Sequence, residues 1–348
     1  MRETLRKTLI IRFSSVGDIV LSTPLVRGLR REMPQVQIDY LVRAEYADLL
    51  RGNPHLSGLI EFPRGGTLGD LRELRGEIVR RGYDCIVDIH GSLRSRLLCR
   101  GVGNVVRVRK RVFPRFVLVH FKKDLYSFFG GAPPVSERYC EPLASLNVTD
   151  DGEGPELFPS PEARARAEEV LHPLRGEGMV IGICPSARHE TKMWPPERFA
   201  EAAAVLGQQR RAGIVLFGSP AEAERCRAIA EQVKSSAPSV TVLNTAGMLS
   251  LIETAAAMDH CALILTNDSG LMHIAAARKR KIVALFGSTV RQFGFFPPAG
   301  ESIVVEQHDL DCRPCTPIGR SSCPRGHFRC MRDITPERVV GAVSALLH

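Results

Sequence analysis

The stretch Thr266-Asn267-Asp268-Ser269-Gly270-Leu271-Met272-His273 sets small polar residues, a carboxylate and a glycine directly behind the apolar run 261–265. A strand that turns into a helix in this way can dock a phosphate. Ser269 and Gly270 fall at the helix N-terminus, where unpaired N–H groups and the positive end of the dipole face an anion, and Gly270 admits close approach. The same residues also suit an ordinary helix cap. A second apolar run, 281–286, follows the short helix and completes a βαβ unit.

Three further loops carry candidate chemistry. In Arg12-Phe13-Ser14-Ser15-Val16-Gly17-Asp18 the first strand ends in a tight turn expected at Gly17, and a helix starting at Asp18 puts a carboxylate at a strand end. Asp18 reads either as a working carboxylate or as a cap. Asp88-Ile89-His90-Gly91-Ser92-Leu93-Arg94 places Asp88, His90 and Arg94 at another strand end, suited to sugar hydroxyls or acceptor phosphates, or to a structural role. The loop 184–195 supplies Ser186, Arg188, Thr191 and Lys192 before the single tryptophan, Trp194. Cations there can neutralise a diphosphate, although a solvated loop of an arginine-rich chain is also basic. Glu222, beyond the next strand, can accept hydrogen bonds from ribose hydroxyls.

Six of the ten cysteines sit in apolar segments and read as reduced core residues. The other four form Cys312-x2-Cys315-x7-Cys323-x6-Cys330. A structural zinc, disulfides and free thiols all remain open for this segment, because only the Cys-x2-Cys half has the usual zinc spacing. Asp309-Leu310-Asp311 is formally a metal-binding Asp-x-Asp, but it lies far in sequence from the phosphate-docking elements. Neither Gly-x-x-x-x-Gly-Lys-Ser/Thr nor Gly-x-Gly-x-x-Gly occurs, which argues against an ATPase or a dinucleotide oxidoreductase.

These loops need scaffolds. Apolar strands at 9–13, 38–42, 59–62, 85–89 and 105–108 alternate with helical segments at 19–32, 68–81 and 92–100. The pattern repeats with strands at 180–184, 213–217, 240–244, 262–266 and 282–286, separated by helices such as 196–206 and 221–233. The fold class is therefore α/β: two doubly wound parallel sheets, one in a domain of residues 1–155 and one in a domain of residues 156–348, joined by the polar linker 149–155. A last helix, 336–347, starts after the capping residue Thr335. In such sheets ligands bind beyond the carboxyl ends of the strands, so two facing domains offer a wall each for donor and acceptor.

With 348 residues the chain is long enough for two cores. Its 44% hydrophobic and 24% charged content fits a globular protein and excludes a disordered one. No apolar run nears the roughly 20 residues that span a bilayer. Arg2, Glu3, Arg6 and Lys7, with Arg12 inside the apolar segment that follows, do not resemble a secretory leader, so a cytoplasmic address is expected. The net charge of +9 favours anionic partners. With aromatics at only 6% and no nucleic-acid motif, an acidic small molecule or an anionic membrane surface is the better match than nucleic acid.

Gly17-Asp18 after the first strand, the Lys192-Met193-Trp194-Pro195 ending of the second-domain loop, and Asp268-Ser269-Gly270-x-x-His273 together resemble the ADP-heptose:lipopolysaccharide heptosyltransferases, glycosyltransferase family 9. The resemblance spans nearly the whole chain. Cys323-Pro324-Arg325-Gly326-His327-Phe328-Arg329-Cys330 is similar to a segment found in a subset of that family, and many members do without it. The resemblance implies a GT-B fold of two facing Rossmann-like domains, with the last helix returning to pack on the first. It implies an inverting transferase that moves heptose from ADP-L-glycero-D-manno-heptose to the lipopolysaccharide inner core at the cytoplasmic face of the inner membrane, with no required cofactor. By the same resemblance Asp18 is the general base, and Gly17, Asp88, His90 and Arg94 lie on the acceptor side. Lys192 with the Ser269 and Gly270 amides serves the diphosphate beside Ser186 and Thr191. Asp268 holds the heptose, Glu222 the ribose, and His273 stands near the phosphates. Alternatives are a GT-B transferase or isomerising enzyme for another nucleotide sugar, and a non-catalytic nucleotide-sugar-binding protein.

Overall fold

The computed structural model describes residues 5–348, and Arg2 and Glu3 lie outside them. Apolar runs buried on both faces make parallel strands with helical crossovers. The first sheet comprises β1 (Lys7–Ile11), β2 (Gln37–Arg43), β3 (Gly58–Phe62), β4 (Cys85–Asp88) and β5 (Val105–Arg107), in the order β3-β2-β1-β4-β5. All of its pairings are parallel, with Leu9 opposite Asp39 on one side and Ile86 on the other. Leu9, Ile11, Phe13, Leu41, Ile60 and Ile78 fill its core. Strand order reverses between β1 and β4, so the crevice of this sheet opens beyond Ile11 and Asp88.

The second sheet comprises β6 (Met179–Cys184), β7 (Ala212–Leu216), β8 (Val242–Asn244), β9 (Leu263–Asn267), β10 (Lys281–Phe286) and β11 (Ser302–Glu306), in the order β11-β10-β9-β6-β7-β8. It too is parallel throughout, and it reverses between β6 and β9. Its reversal point therefore lies at Cys184 and Asn267, which start the two loops that the sequence marks for phosphate chemistry. β11 was not anticipated: its half-buried pattern lacks the continuous apolar run that betrays a central strand.

The helix expected over 19–32 is two helices, Val16–Val20 and Thr23–Glu32. Ser22 and Thr23 turn their hydroxyls back onto the carbonyls of Ile19 and Val20, at 2.7 and 2.8 Å, and Pro24 occupies the first turn of the second helix. Helix Leu68–Arg81 has its expected bounds, opened by a Thr67/Asp70 capping box.

The chain divides into two units. One takes the chain up to Lys110 together with Pro133–Phe158; the other takes Arg111–Ala132 and Pro159–His348. The division differs from a single cut at 155/156 for two reasons. Arg27 binds Asp151 at 2.6 Å and Glu156 at 2.8 Å, and Thr23 accepts from the Glu156 amide, so the expected linker is held on the first unit. Leu118, Val119 and Tyr126 pack with Phe293, and the Lys122 ammonium donates to the Pro314 carbonyl at 2.6 Å, which ties 111–132 to the second unit. The C-terminal helix, Pro336–Leu346, buries Val339 and Val343 in the second-unit core against helix Pro196–Arg210. Its apolar face is thus buried within its own unit.

Candidate active site

In the first unit the helix after β1 begins at Val16, two residues earlier than expected, with Ser15 as N-cap and Gly17 buried inside the turn. Asp18 closes a box onto Ser15: its Oδ2 accepts from the Ser15 hydroxyl at 2.9 Å and from the Ser15 amide at 3.3 Å. The other oxygen does different work. Oδ1 receives Arg12 Nη2 at 2.7 Å and the Tyr139 hydroxyl at 2.9 Å, and Arg12 Nη1 donates to the Ile89 carbonyl at 2.7 Å. Burial pushes the Asp18 carboxyl up, but Arg12 and the hydrogen bonds from Ser15 and Tyr139 outweigh it and hold the group below the ordinary carboxylate value. Asp18 is therefore an ionised, four-donor carboxylate at the reversal point of the first sheet.

The neighbouring loop after β4 divides into a scaffold and an accessible part. Asp88 is fully buried and accepts from the His90 and Gly91 amides at 3.1 and 2.8 Å and from the Ser95 hydroxyl at 3.0 Å. Its carboxylate shapes the loop and is not presented to a ligand. His90 stands edge-on to Phe13, its ring centroid 5.3 Å away, and its Nδ1 is buried with no hydrogen-bond partner. Burial, reinforced by Arg12, lowers its imidazole to about 4, so it is neutral near pH 7. Arg94 is exposed on helix Leu93–Leu98.

In the second unit the two loops at the β6/β9 reversal are locked together. Asn267 at the end of β9 is fully buried; its Oδ1 accepts from the Trp194 amide at 3.0 Å and its Nδ2 donates to the Pro185 carbonyl at 2.9 Å. Trp194 is itself fully buried, edge-on to Phe199, with its indole N–H on the Ile334 carbonyl at 3.0 Å. Between these anchors Lys192 extends to Asp268, Nζ to Oδ2 2.7 Å, and Thr289 donates to the same oxygen at 2.6 Å. Ser269 is the N-cap of helix Gly270–Ala277, yet no side chain caps that helix and its first turn holds no acid. Its leading N–H groups keep their capacity for an anion. Ser186, just past β6, is buried with an Oγ that has no partner.

Chains outside these loops brace them. Thr191 Oγ1 accepts from the Arg320 amide at 2.8 Å and from the Ser288 hydroxyl at 3.1 Å, so its hydroxyl knots the loop and does not face a ligand. The nearly buried Arg313 donates to the carbonyls of Thr289 and Gln307, both at 2.7 Å, and pairs with Glu306. His273 is buried on its helix with its ring 6.2 Å from Phe295. Glu222 turns its carboxylate onto Ser219, amide and hydroxyl at 2.7 and 2.9 Å, and so closes its own turn.

All ten cysteines are free thiols. Cys312 Sγ lies 3.8 Å from His327 Nε2, and burial raises the Cys315 thiol and lifts Cys330 to about 12. Among the described residues no three His, Cys, Asp or Glu side chains come together as a metal-binding group. Cys312, Cys315, Cys323 and Cys330 nevertheless line one small pocket together with His327.

Comparison with known proteins fits this geometry. The sequence model of glycosyltransferase family 9 (heptosyltransferase) matches residues 71–323. The chain belongs to glycosyltransferase family 9. This family 9 transferase is 30% identical to lipopolysaccharide heptosyltransferase 2 of Escherichia coli K12, across 98% of both chains. Among solved structures it is similar to a family 9 glycosyl transferase from Veillonella parvula, at 25% identity and a TM-score of 0.81 over 98% of this chain and 97% of that one. It is also similar to E. coli ADP-heptose lps heptosyltransferase II, at 28% identity and a TM-score of 0.74 over 98% of each. The two parallel sheets are thus those of a GT-B glycosyltransferase.

Within this enzyme the structure brings Lys192, Asp268 and the Ser269–Gly270 turn to one strand-end crevice and Asp18 to another. Arg12, Tyr139, Asn267, Thr289 and Arg313 escaped the sequence reading. Only Arg12 left a signal there, as a charge inside an apolar segment.

Proposed function

We propose that this transferase moves heptose from ADP-L-glycero-D-manno-heptose to a sugar hydroxyl of the lipopolysaccharide inner core, with inversion at the anomeric carbon. The observation that carries the reading is the pair of built strand-end sites. Asp18 is a fixed, ionised carboxylate, while Lys192 stands beside an uncapped helix N-terminus and the partnerless Ser186 hydroxyl. Its relatives, an ADP-heptose transferase and a lipopolysaccharide heptosyltransferase, suggest the substrate class.

In a single displacement the acceptor oxygen forms a bond to the anomeric carbon as the bond from that carbon to the ADP oxygen breaks. The acceptor proton passes to Asp18, and ADP leaves carrying the bonding pair. Negative charge grows on the diphosphate, where Lys192 and the Ser269 and Gly270 amides oppose it without reorganisation. Asp268 orients Lys192 and offers its remaining acceptor capacity to heptose hydroxyls. Ser186 supplies a donor that binding would satisfy. On this reading the acceptor is a glycolipid, and the enzyme works at the cytoplasmic face of the inner membrane as a peripheral protein; no helix among the described residues is long and apolar enough to cross a membrane.

The test is a donor screen. The purified protein is incubated with a heptose-deficient, deacylated core acceptor and ADP-heptose, UDP-sugars or GDP-sugars in turn, and products are weighed by mass spectrometry. A gain of one heptose from ADP-heptose alone, lost in Asp18→Ala while ADP still binds, supports the reading. Transfer from a UDP- or GDP-sugar, or donor binding without transfer to any core acceptor, overturns it.

A further inference from the structure

Five of the fifteen phenylalanines are exposed, and all five fall within residues 113–129: Phe113, Phe116, Phe121, Phe128 and Phe129. Phe128 is 81% exposed and Phe121 63%. Helix Val112–Phe121 turns Pro114, Leu118 and Val119 inward, so its outward aromatic residues are surplus to the fold. Phe113 touches Phe129 at 5.9 Å between centroids, and Phe116 touches His120 at 4.2 Å and Phe121 at 6.2 Å, which gathers the rings into two exposed clusters on one short segment. A water-facing aromatic surface of this kind marks an interaction site.

The charge around it identifies the occupant. Residues 89–123 contain ten lysines and arginines and no aspartate or glutamate, so this stretch accounts for the whole +9 excess of the chain. Arg111, Arg115, Lys122 and Lys123 flank the aromatic residues directly. Lys122 spends its protons on the carbonyls of Val119 and Pro314, which leaves its charge unneutralised. Phenyl rings within a stretch that carries ten cations and no acid match the interface of an anionic bilayer, where rings enter the headgroup layer and cations meet phosphates.

We propose that the 111–129 surface docks the enzyme on an anionic lipid bilayer, with the Phe113/Phe116/Phe121 face entering the headgroup region. The proposal rests on the reading that the acceptor is a membrane glycolipid, and it names the surface that reaches it.

Co-sedimentation of the full-length protein with phosphatidylethanolamine vesicles, with and without phosphatidylglycerol, tests it. Wild type should pellet with the mixed vesicles and stay free with the neutral ones. The triple variant Phe113→Ser/Phe116→Ser/Phe121→Ser should bind the mixed vesicles at least about tenfold more weakly, since burying even one phenyl side chain is worth about that factor. Its thermal midpoint and its transfer to a deacylated acceptor should match wild type. Arg115→Glu/Lys123→Glu, which leaves every ring in place, should also release the protein, and it decides the matter if the triple variant melts early. Equal vesicle binding by wild type and both variants, or indifference of wild type to phosphatidylglycerol, overturns the proposal while leaving the transferase reading intact. So does a loss of transfer to the deacylated acceptor that parallels the loss of vesicle binding, since the surface would then serve the acceptor itself. Failure of wild type in the donor screen strikes the transferase reading instead.

Discussion

Arg12 Nη2 lies 2.7 Å from Asp18 Oδ1, and the same oxygen takes the Tyr139 hydroxyl at 2.9 Å. The proposed base is thereby held in one orientation and kept ionised.

Because burial is outweighed by Arg12 and its companions, the folded-state pKa of Asp18 is depressed. The stability it contributes is present above the unfolded value of about 4 and is lost as pH falls through the lower folded value. The acid limb of kcat/KM should then fall below about pH 4 for wild type. Arg12→Gln should move that limb upward, and a pH–rate profile reads the shift; an unmoved limb would separate Arg12 from the ionisation of the base. Asp18→Asn should cost about 10²- to 10⁴-fold in kcat.

Lys192 is the cation of the second crevice, and its removal strands the buried Asp268 carboxylate. Lys192→Met should weaken ADP binding by roughly tenfold to a hundredfold, as expected for a lost charge-assisted hydrogen bond. Lys192→Met/Asp268→Asn should recover thermal stability without recovering affinity. Titration calorimetry alongside thermal melts distinguishes the two quantities.

Trp194 fills the core under the Lys192 loop, and Asn267 clips the loop to β9. Trp194→Ala should cost about 3–5 kcal/mol in urea unfolding, the range for emptying a large aromatic site. Asn267→Ala removes both clips while leaving the apolar core alone. It should cost less stability yet weaken ADP binding, and equal affinity to wild type would show that the loop holds its shape unaided.

His90 stays neutral in the folded protein down to about pH 4, whereas the unfolded chain takes up its proton near 6.5. Between those values the unfolded state binds more protons, so stability falls as pH drops from 6.5 to 4 and levels off below. His90→Gln should flatten that portion of a plot of thermal midpoint against pH. The imidazole resonance in NMR gives the folded value directly.

The sheets were legible in the sequence because strands buried on both faces must be continuous apolar runs, as in Val180–Cys184 within β6 and Ile282–Phe286 within β10. The loops bearing Asp18, Lys192 and Asp268 were legible because they sit at strand ends, where small and polar residues interrupt those runs. What holds these side chains was not. Tyr139 reaches Asp18 across 121 positions and Arg320 reaches Thr191 across 129, contacts that no local pattern encodes. Residues 111–132 were overlooked as well. Their helix is apolar on both sides, and its second side faces outward, with Phe113, Phe116 and Phe121 exposed.

The Thr191–Arg320 bond and the Arg313 braces give the order of synthesis a consequence. The loop that carries Lys192 emerges from the ribosome long before the segment that fastens it, so a nascent chain lacking its last forty or so residues has the second sheet's central strands but an unfastened crevice. Domains fold as units during translation, and the proposed capture of nucleotide by this one must wait until nearly the whole polypeptide has been made.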